Sequence, residues 1–175
     1  MTDKNFIKKF VDVFNSSEYI YETNQSLETL KDKVRFVTNQ KKTFGFKYNL
    51  TGNLNLDNTF ELSRIIGTIH INNGAGGPPV KIEGKLIERE GNKTNVEIKV
   101  KPNFVMILLP IIFGLIGIVV ILYSILTWNT ETLFGGFFLI VASLFWGLLK
   151  YTKDYYKSEF ERALGLSENE TIEEN

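Results

Sequence analysis

Two long stretches without a single charged residue or histidine dominate the polar pattern of this chain. The first runs from Phe104 to Trp128 and the second from Thr132 to Leu149, with only Asn129 to Glu131 between them. A bilayer core is about 30 Å thick, and a helix rises 1.5 Å per residue, so roughly 20 apolar residues suffice to cross it. The first stretch exceeds that length and the second lies near its lower limit. Soluble core helices rarely stay apolar on every face for so long. The pattern therefore predicts a transmembrane helical hairpin.

Small residues predict how the two helices meet. Gly114, Gly117 and Ser124 fall on one face of the first helix, and Gly136, Ser143 and Gly147 on one face of the second. Such faces let backbones approach where lipid supplies no hydrophobic drive. Pro110 is expected to kink the first helix.

Upstream, the pattern changes to alternation. Phe44, Phe46, Tyr48, Leu50, Leu54 and Leu56 alternate with polar residues, and Gly52 occupies the apolar register. That glycine predicts a bend or bulge. Asp57-Asn58 reads as a turn, after which Phe60 and Leu62 resume the phase. It is lost again near Arg64, which suggests a second bulge. Residues 72–79 (NNGAGGPP) read as a loop. Val80, Ile82, Gly84 and Leu86 alternate next, and Val96, Ile98 and Val100 follow the Glu90-Gly91-Asn92-Lys93 turn. Period-2 alternation predicts an antiparallel sheet buried on one face.

Three helical patterns accompany the sheet. Residues 3–15 place Phe6, Phe10, Val13 and Phe14 on one face, which suits a cover for the sheet or a helix lying in the membrane interface. A short strand at 19–22 is followed by Ser26 as an N-cap and a helix to about Thr38, with Leu27, Leu30, Val34 and Val37 as its apolar stripe. A juxtamembrane helix, 150–166, continues the second span and stops at Gly165. The acidic tail 167–175 reads as disordered. The fold class expected is α+β: a small antiparallel sheet covered by the 26–38 helix, in a domain of residues 1–103, followed by the hairpin 104–149.

Charge orients the hairpin. Lys99 and Lys101 precede it, Lys150, Lys153 and Lys157 follow it, and the connecting loop has no basic residue. The positive-inside rule then places both termini in the cytoplasm, in a bacterial inner membrane. The abundance of Asn, Lys and Ile suggests an AT-rich bacterial genome. Trp128 at the outer level and Lys150, Tyr151, Lys153 and Tyr155 at the inner level are the expected interface anchors. No signal peptide is visible in the first 15 residues, so the first span is expected to direct insertion.

The 175 residues carry 20 basic and 20 acidic side chains. Residues 1–103 hold 16 basic and 12 acidic groups, a balance of +4, while residues 158–175 hold one Arg and six Glu. A charge of +4 suits weak contact with an anionic leaflet but not nucleic-acid binding.

Candidate chemistry is sparse. Cysteine is absent, which excludes disulfides and thiol catalysis. His70 is the single histidine and lies in a strand-like stretch, so no transition-metal site and no cofactor are expected. Asn73-Gly74-Ala75-Gly76-Gly77 lacks the Gly-Lys-Ser/Thr ending of a phosphate loop. Glu88, Glu90 and Glu97 could approach across the last hairpin, but they alternate with basic residues as surface pairs do. Neither span contains an Asp, Glu, Lys, Arg or His, which argues against transport.

Gly52, Phe60-Glu61-Leu62, Pro79 with Ile82 and Gly84, and Lys101-Pro102-Asn103 carry a resemblance. Over roughly residues 26–150 the chain resembles a loose group of uncharacterised bacterial two-span membrane proteins with a cytoplasmic sheet domain. The resemblance implies that arrangement and no activity or site.

The reading that follows is a membrane-anchored, non-enzymatic cytoplasmic module. Its partners would be the lipid bilayer and a protein, as an accessory subunit or an immunity-type protein; a homo-oligomer is compatible with it. The alternative is a tethered domain for an apolar ligand or lipid, with Phe44, Phe46, Tyr48 and Phe60 facing the ligand.

Overall fold

The computed structural model describes residues 11–39, 50–64, 78–127, 132–166 and 171–172. Its strands are β1 (Ser17–Thr23), β2 (Leu50–Leu54), β3 (Thr59–Arg64), β4 (Val80–Arg89), β5 (Lys93–Pro102) and the two-residue β6 (Thr171–Ile172). Its helices are α1 (Leu27–Thr38), α2 (Phe104–Thr127) and α3 (Thr132–Leu164). The sheet order is β2-β3-β4-β5-β1-β6, antiparallel throughout. With α1 and two long apolar helices, this is the α+β fold and helical hairpin that the pattern predicts.

Alternation sends Phe60, Leu62, Val80, Ile82, Leu86, Val96, Ile98 and Val100 to one face, where all are buried. Tyr21 on β1 joins them. α1 begins as predicted: the Ser26 side chain accepts a hydrogen bond from the Thr29 amide, and Leu30, Val34 and Val37 are buried against the sheet.

α1 is not the only cover. The second hydrophobic helix runs without a break from Thr132 to Leu164, and its charged second half lies over the same sheet face. Tyr156, Phe160 and Leu164 are fully buried there, in one core with Tyr21, Leu30 and Phe60. Residues 150–166 thus belong to the core of the α+β domain. The helix ends at Gly165, with φ of +68°, and the Leu166 amide donates to the Glu161 carbonyl at 2.9 Å. This is a Schellman closure, which suits glycine because it has no Cβ to clash at positive φ. Lys33 and Gln25 also donate to the Leu164 carbonyl.

Several expectations change. Gly52 is not a bulge: it pairs in unbroken register with Leu62. It is required by close approach, because a Cβ there would lie 1.8 Å from the Glu61 carbonyl oxygen. Leu56 is not in a strand but in the turn, fully exposed. Thr171 and Ile172, in the tail read as disordered, pair with Tyr21 and Ile20. The expected strand at 43–49, the phase break after Arg64, the glycine loop 72–77 and most of the 3–15 helix lie outside the described residues.

Candidate functional site

The apolar hairpin is bound to the sheet through Asn103. The Asn103 amide donates to the Pro79 carbonyl at 2.8 Å, and its side chain donates to the Pro78 carbonyl at 3.3 Å. Its Oδ1 accepts from the Val105 amide at 3.0 Å, capping the start of α2. The last strand therefore passes into the first hydrophobic helix with no free linker. Met106 and Ile107 on α2 and Trp146 and Leu149 on α3 pack against the domain core.

Beyond that base, both helices are long and apolar enough to cross a membrane. Only 11% of the residues in the most hydrophobic window of each helix are buried. A core helix of a soluble protein would be mostly buried. Here Ile118, Val119, Leu122, Ile125, Leu126 and Phe137 are exposed.

The two helices meet through small residues, but the second face differs from the predicted one. A Cβ on Gly117 would lie 2.9 Å from the Gly135 carbonyl oxygen, and one on Gly135 would lie 2.5 Å from Ile121 Cγ1. Gly114 approaches Ala142, and Ser124 is buried. Gly114 and Gly117 thus sit in the contact as expected, and Ser124, predicted on the same face, is buried. Gly136 and Gly147 do not, since no atom lies within 4 Å of a Cβ at either, and Ser143 is exposed with its hydroxyl donating to the Leu139 carbonyl. The contacting face of α3 is Gly135, Phe138, Leu139, Ala142 and Phe145. Both glycine faces carry small residues at helical spacing; on the face that meets α2, the Phe113 ring stacks on both Phe138 and Phe145.

The predicted interface residues divide. Lys150 and Tyr151 are exposed, and Tyr151 stacks on Tyr155, which is half-buried against the core. Lys153 turns inward and is only 7% exposed. Its Nζ donates to the carbonyls of Asp12 at 3.0 Å, Val13 at 3.3 Å and Asn15 at 2.8 Å. These are the carbonyls of a helical turn whose Phe14 amide donates to the Val11 carbonyl. A cation satisfying carbonyls at the end of a helical segment is favoured by their partial negative charge. Burial lowers the Lys153 pKa, and the nearby Asp154 and Asp12 oppose that shift. The sequence places Lys153 beside three aromatic residues but does not reveal this use.

The other face of the sheet is open and charged. Lys99 pairs with Glu18, Lys101 with Glu83, Lys81 with Glu61, and Lys93 with Glu22. A shallow groove of about 600 Å³ crosses it, lined by Glu18, Glu83, Lys85, Glu97 and Lys99 among others. The Lys99 ammonium holds the Glu18 carboxyl below the ordinary carboxylate range. Glu97 lies opposite Lys85 on this face, whereas Glu88 lies opposite Thr94 on the helix side. The three carboxylates Glu88, Glu90 and Glu97 therefore do not converge. Among the described residues no group of His, Cys, Asp or Glu could hold a metal ion.

Phe60 points into the core, over Gly84 and against Phe160. Phe44, Phe46, Tyr48, His70 and Trp128 lie outside the described residues. Compared with known proteins, the chain matches no family model, no curated protein and no solved structure.

Proposed function

We propose that this chain is an integral membrane protein of the bacterial inner membrane, with both termini cytoplasmic, that anchors a non-enzymatic binding module at the membrane surface. The observation that carries the reading is the apolar hairpin: two helices with largely exposed hydrophobic flanks, joined to a polar-faced α+β domain without a linker. Such flanks are costly in water and stable in lipid. The basic residues on the domain side and their absence from the 129–131 loop support the orientation. The open charged face is the surface on which a protein partner would dock.

The apolar-ligand alternative finds less support. Of its four ligand-facing residues, Phe60 is buried in the core with Tyr21, Tyr156 and Phe160, and Phe44, Phe46 and Tyr48 lie outside the described residues.

Purification of the tagged chain from native membranes in mild detergent, with mass spectrometry of proteins and lipids, tests the reading. A stoichiometric protein partner is expected, and its identity names the process. Recovery of the chain in the soluble fraction overturns the anchoring. A chain recovered alone with a defined small molecule overturns the protein-binding role.

A further inference from the structure

We propose that the turn at residues 11–15 is a second membrane contact, resting on the headgroup layer of the bilayer and held at that depth by Lys153. The inference rests on the anchoring read above and adds a surface to it.

Depth follows from helix geometry. The apolar part of α3 ends at Leu149, and Lys153 lies four residues further along the same unbroken helix. At 1.5 Å per residue the separation is about 6 Å. The polar layer on each side of the hydrocarbon core is about 5–7 Å deep. Lys153 therefore sits within that layer, and the carbonyls it grips sit beside it. Three hydrogen bonds from one buried ammonium fix Asp12, Val13 and Asn15 to α3. Val13 is buried in the domain core, and Phe14 packs against it. Val11, an apolar residue at the start of the turn, is 46% exposed. On the same level of α3, Lys150 and Tyr151 are exposed, a basic and an aromatic residue of the kinds found at membrane interfaces. The contact is continuous with the hairpin, so the bilayer is its occupant.

Lys153 is thus a positioning residue. An exposed lysine at this depth would itself reach the headgroups. Here the ammonium is spent on backbone carbonyls, so a neutral side chain of similar length should release the turn while leaving the hairpin inserted.

The chain has no cysteine, so single-cysteine spin labels report one position each. The probe is the full chain in vesicles of phosphatidylethanolamine and phosphatidylglycerol, labelled at Val11→Cys, Leu115→Cys or Asn92→Cys. Leu115 is exposed near the middle of the first apolar stretch. Depth is read from collision with oxygen against a water-soluble nickel chelate. The Leu115 label should be oxygen-accessible and the Asn92 label nickel-accessible. The Val11 label should fall between them, at headgroup depth. A Val11 label as nickel-accessible as the Asn92 label, with Leu115 in lipid, overturns this contact and leaves the anchoring intact. An aqueous Leu115 label overturns both. In a Lys153→Met background the Val11 label should gain mobility and nickel access, with Leu115 unchanged. An unchanged Val11 spectrum there overturns the role of Lys153.

Discussion

The ring of Phe60, on β3, stacks on the ring of Phe160, on α3, with centroids 5.6 Å apart and planes 17° from parallel. One residue comes from the sheet and the other from the extension of a hydrophobic helix that begins 28 residues earlier, at Thr132. Tyr21 completes the cluster, its ring centroid 6.5 Å from that of Phe160 and its hydroxyl donating to Glu161 at 3.0 Å. The hairpin and the sheet domain thus share a core, and a load on one is transmitted to the other through packed side chains.

Phe160→Ala should therefore destabilise the sheet domain, although residue 160 lies beyond the hairpin. Truncating a buried phenylalanine costs about 3–5 kcal/mol, from lost burial and the cavity left behind. Thermal unfolding followed by near-ultraviolet circular dichroism in mild detergent should show a clearly lowered midpoint, with the α-helical signal of the hairpin retained. An unchanged midpoint would remove Phe160 from the core.

Gly84 and Phe60 depend on each other. A Cβ on Gly84 would meet the Phe60 ring at 2.2 Å and the Glu97 carbonyl oxygen at 2.8 Å. Gly84→Ala should cost about 1–3 kcal/mol, as overpacking usually does. Part of that cost comes from the ring. In a Phe60→Leu background the same substitution should cost less, and equal costs in the two backgrounds would show that the backbone contact alone is responsible.

The hairpin contact predicts a disulfide. A Cβ built at Gly114 lies 3.9 Å from the Ala142 Cβ, inside the Cβ–Cβ range of about 3.5–4.5 Å that a disulfide spans. The Gly114→Cys/Ala142→Cys double variant should oxidise within one chain, as read by mobility on a non-reducing gel. Gly114→Cys/Ser143→Cys should not, because Ser143 is on the exposed side. The reverse outcome would restore the face at Gly136, Ser143 and Gly147 as the contact.

The open sheet face carries a pH dependence with a definite sign. The Glu18 carboxyl is lowered chiefly by its hydrogen bond and charge interaction with Lys99. A folded pKa below the unfolded one stabilises the fold at pH above the unfolded value, and the contribution is lost as pH falls through the folded value. Glu18 therefore supports the fold near neutrality and stops doing so in acid, below its ordinary value of 4.5. In Lys99→Met, the Glu18 titration followed by carbon-detected NMR should move up towards that ordinary value. No movement would mean that the pair does not persist in solution.

The elements legible in the sequence were those governed by local periodicity. Alternation at Val80–Leu86 and Val96–Val100 placed β4 and β5, Ser26 marked the start of α1, and Gly165 the end of α3. The charge-free stretches located the hairpin helices. Less legible were the meanings of individual glycines and lysines. Gly52 looks like a bulge and is a close approach, Gly136 looks like a contact and is open, and Lys153 looks like a surface anchor and is buried. What these positions do is set by other segments: Glu61 approaches Gly52, Ile121 and Gly117 approach Gly135 and leave Gly136 open, and the 12–15 carbonyls take up Lys153.

By itself the sequence determined the fold class and the presence of two helices apolar enough to cross a membrane, because hydrophobic periodicity and length are local properties of the chain. Only the tertiary structure decided that residues 150–164 close the sheet, that Gly135 and not Gly136 meets α2, and that Lys153 holds the turn at residues 11–15. Those outcomes depend on which of several compatible faces turns inward. That choice is made by packing between segments up to about 140 residues apart, which no local pattern encodes.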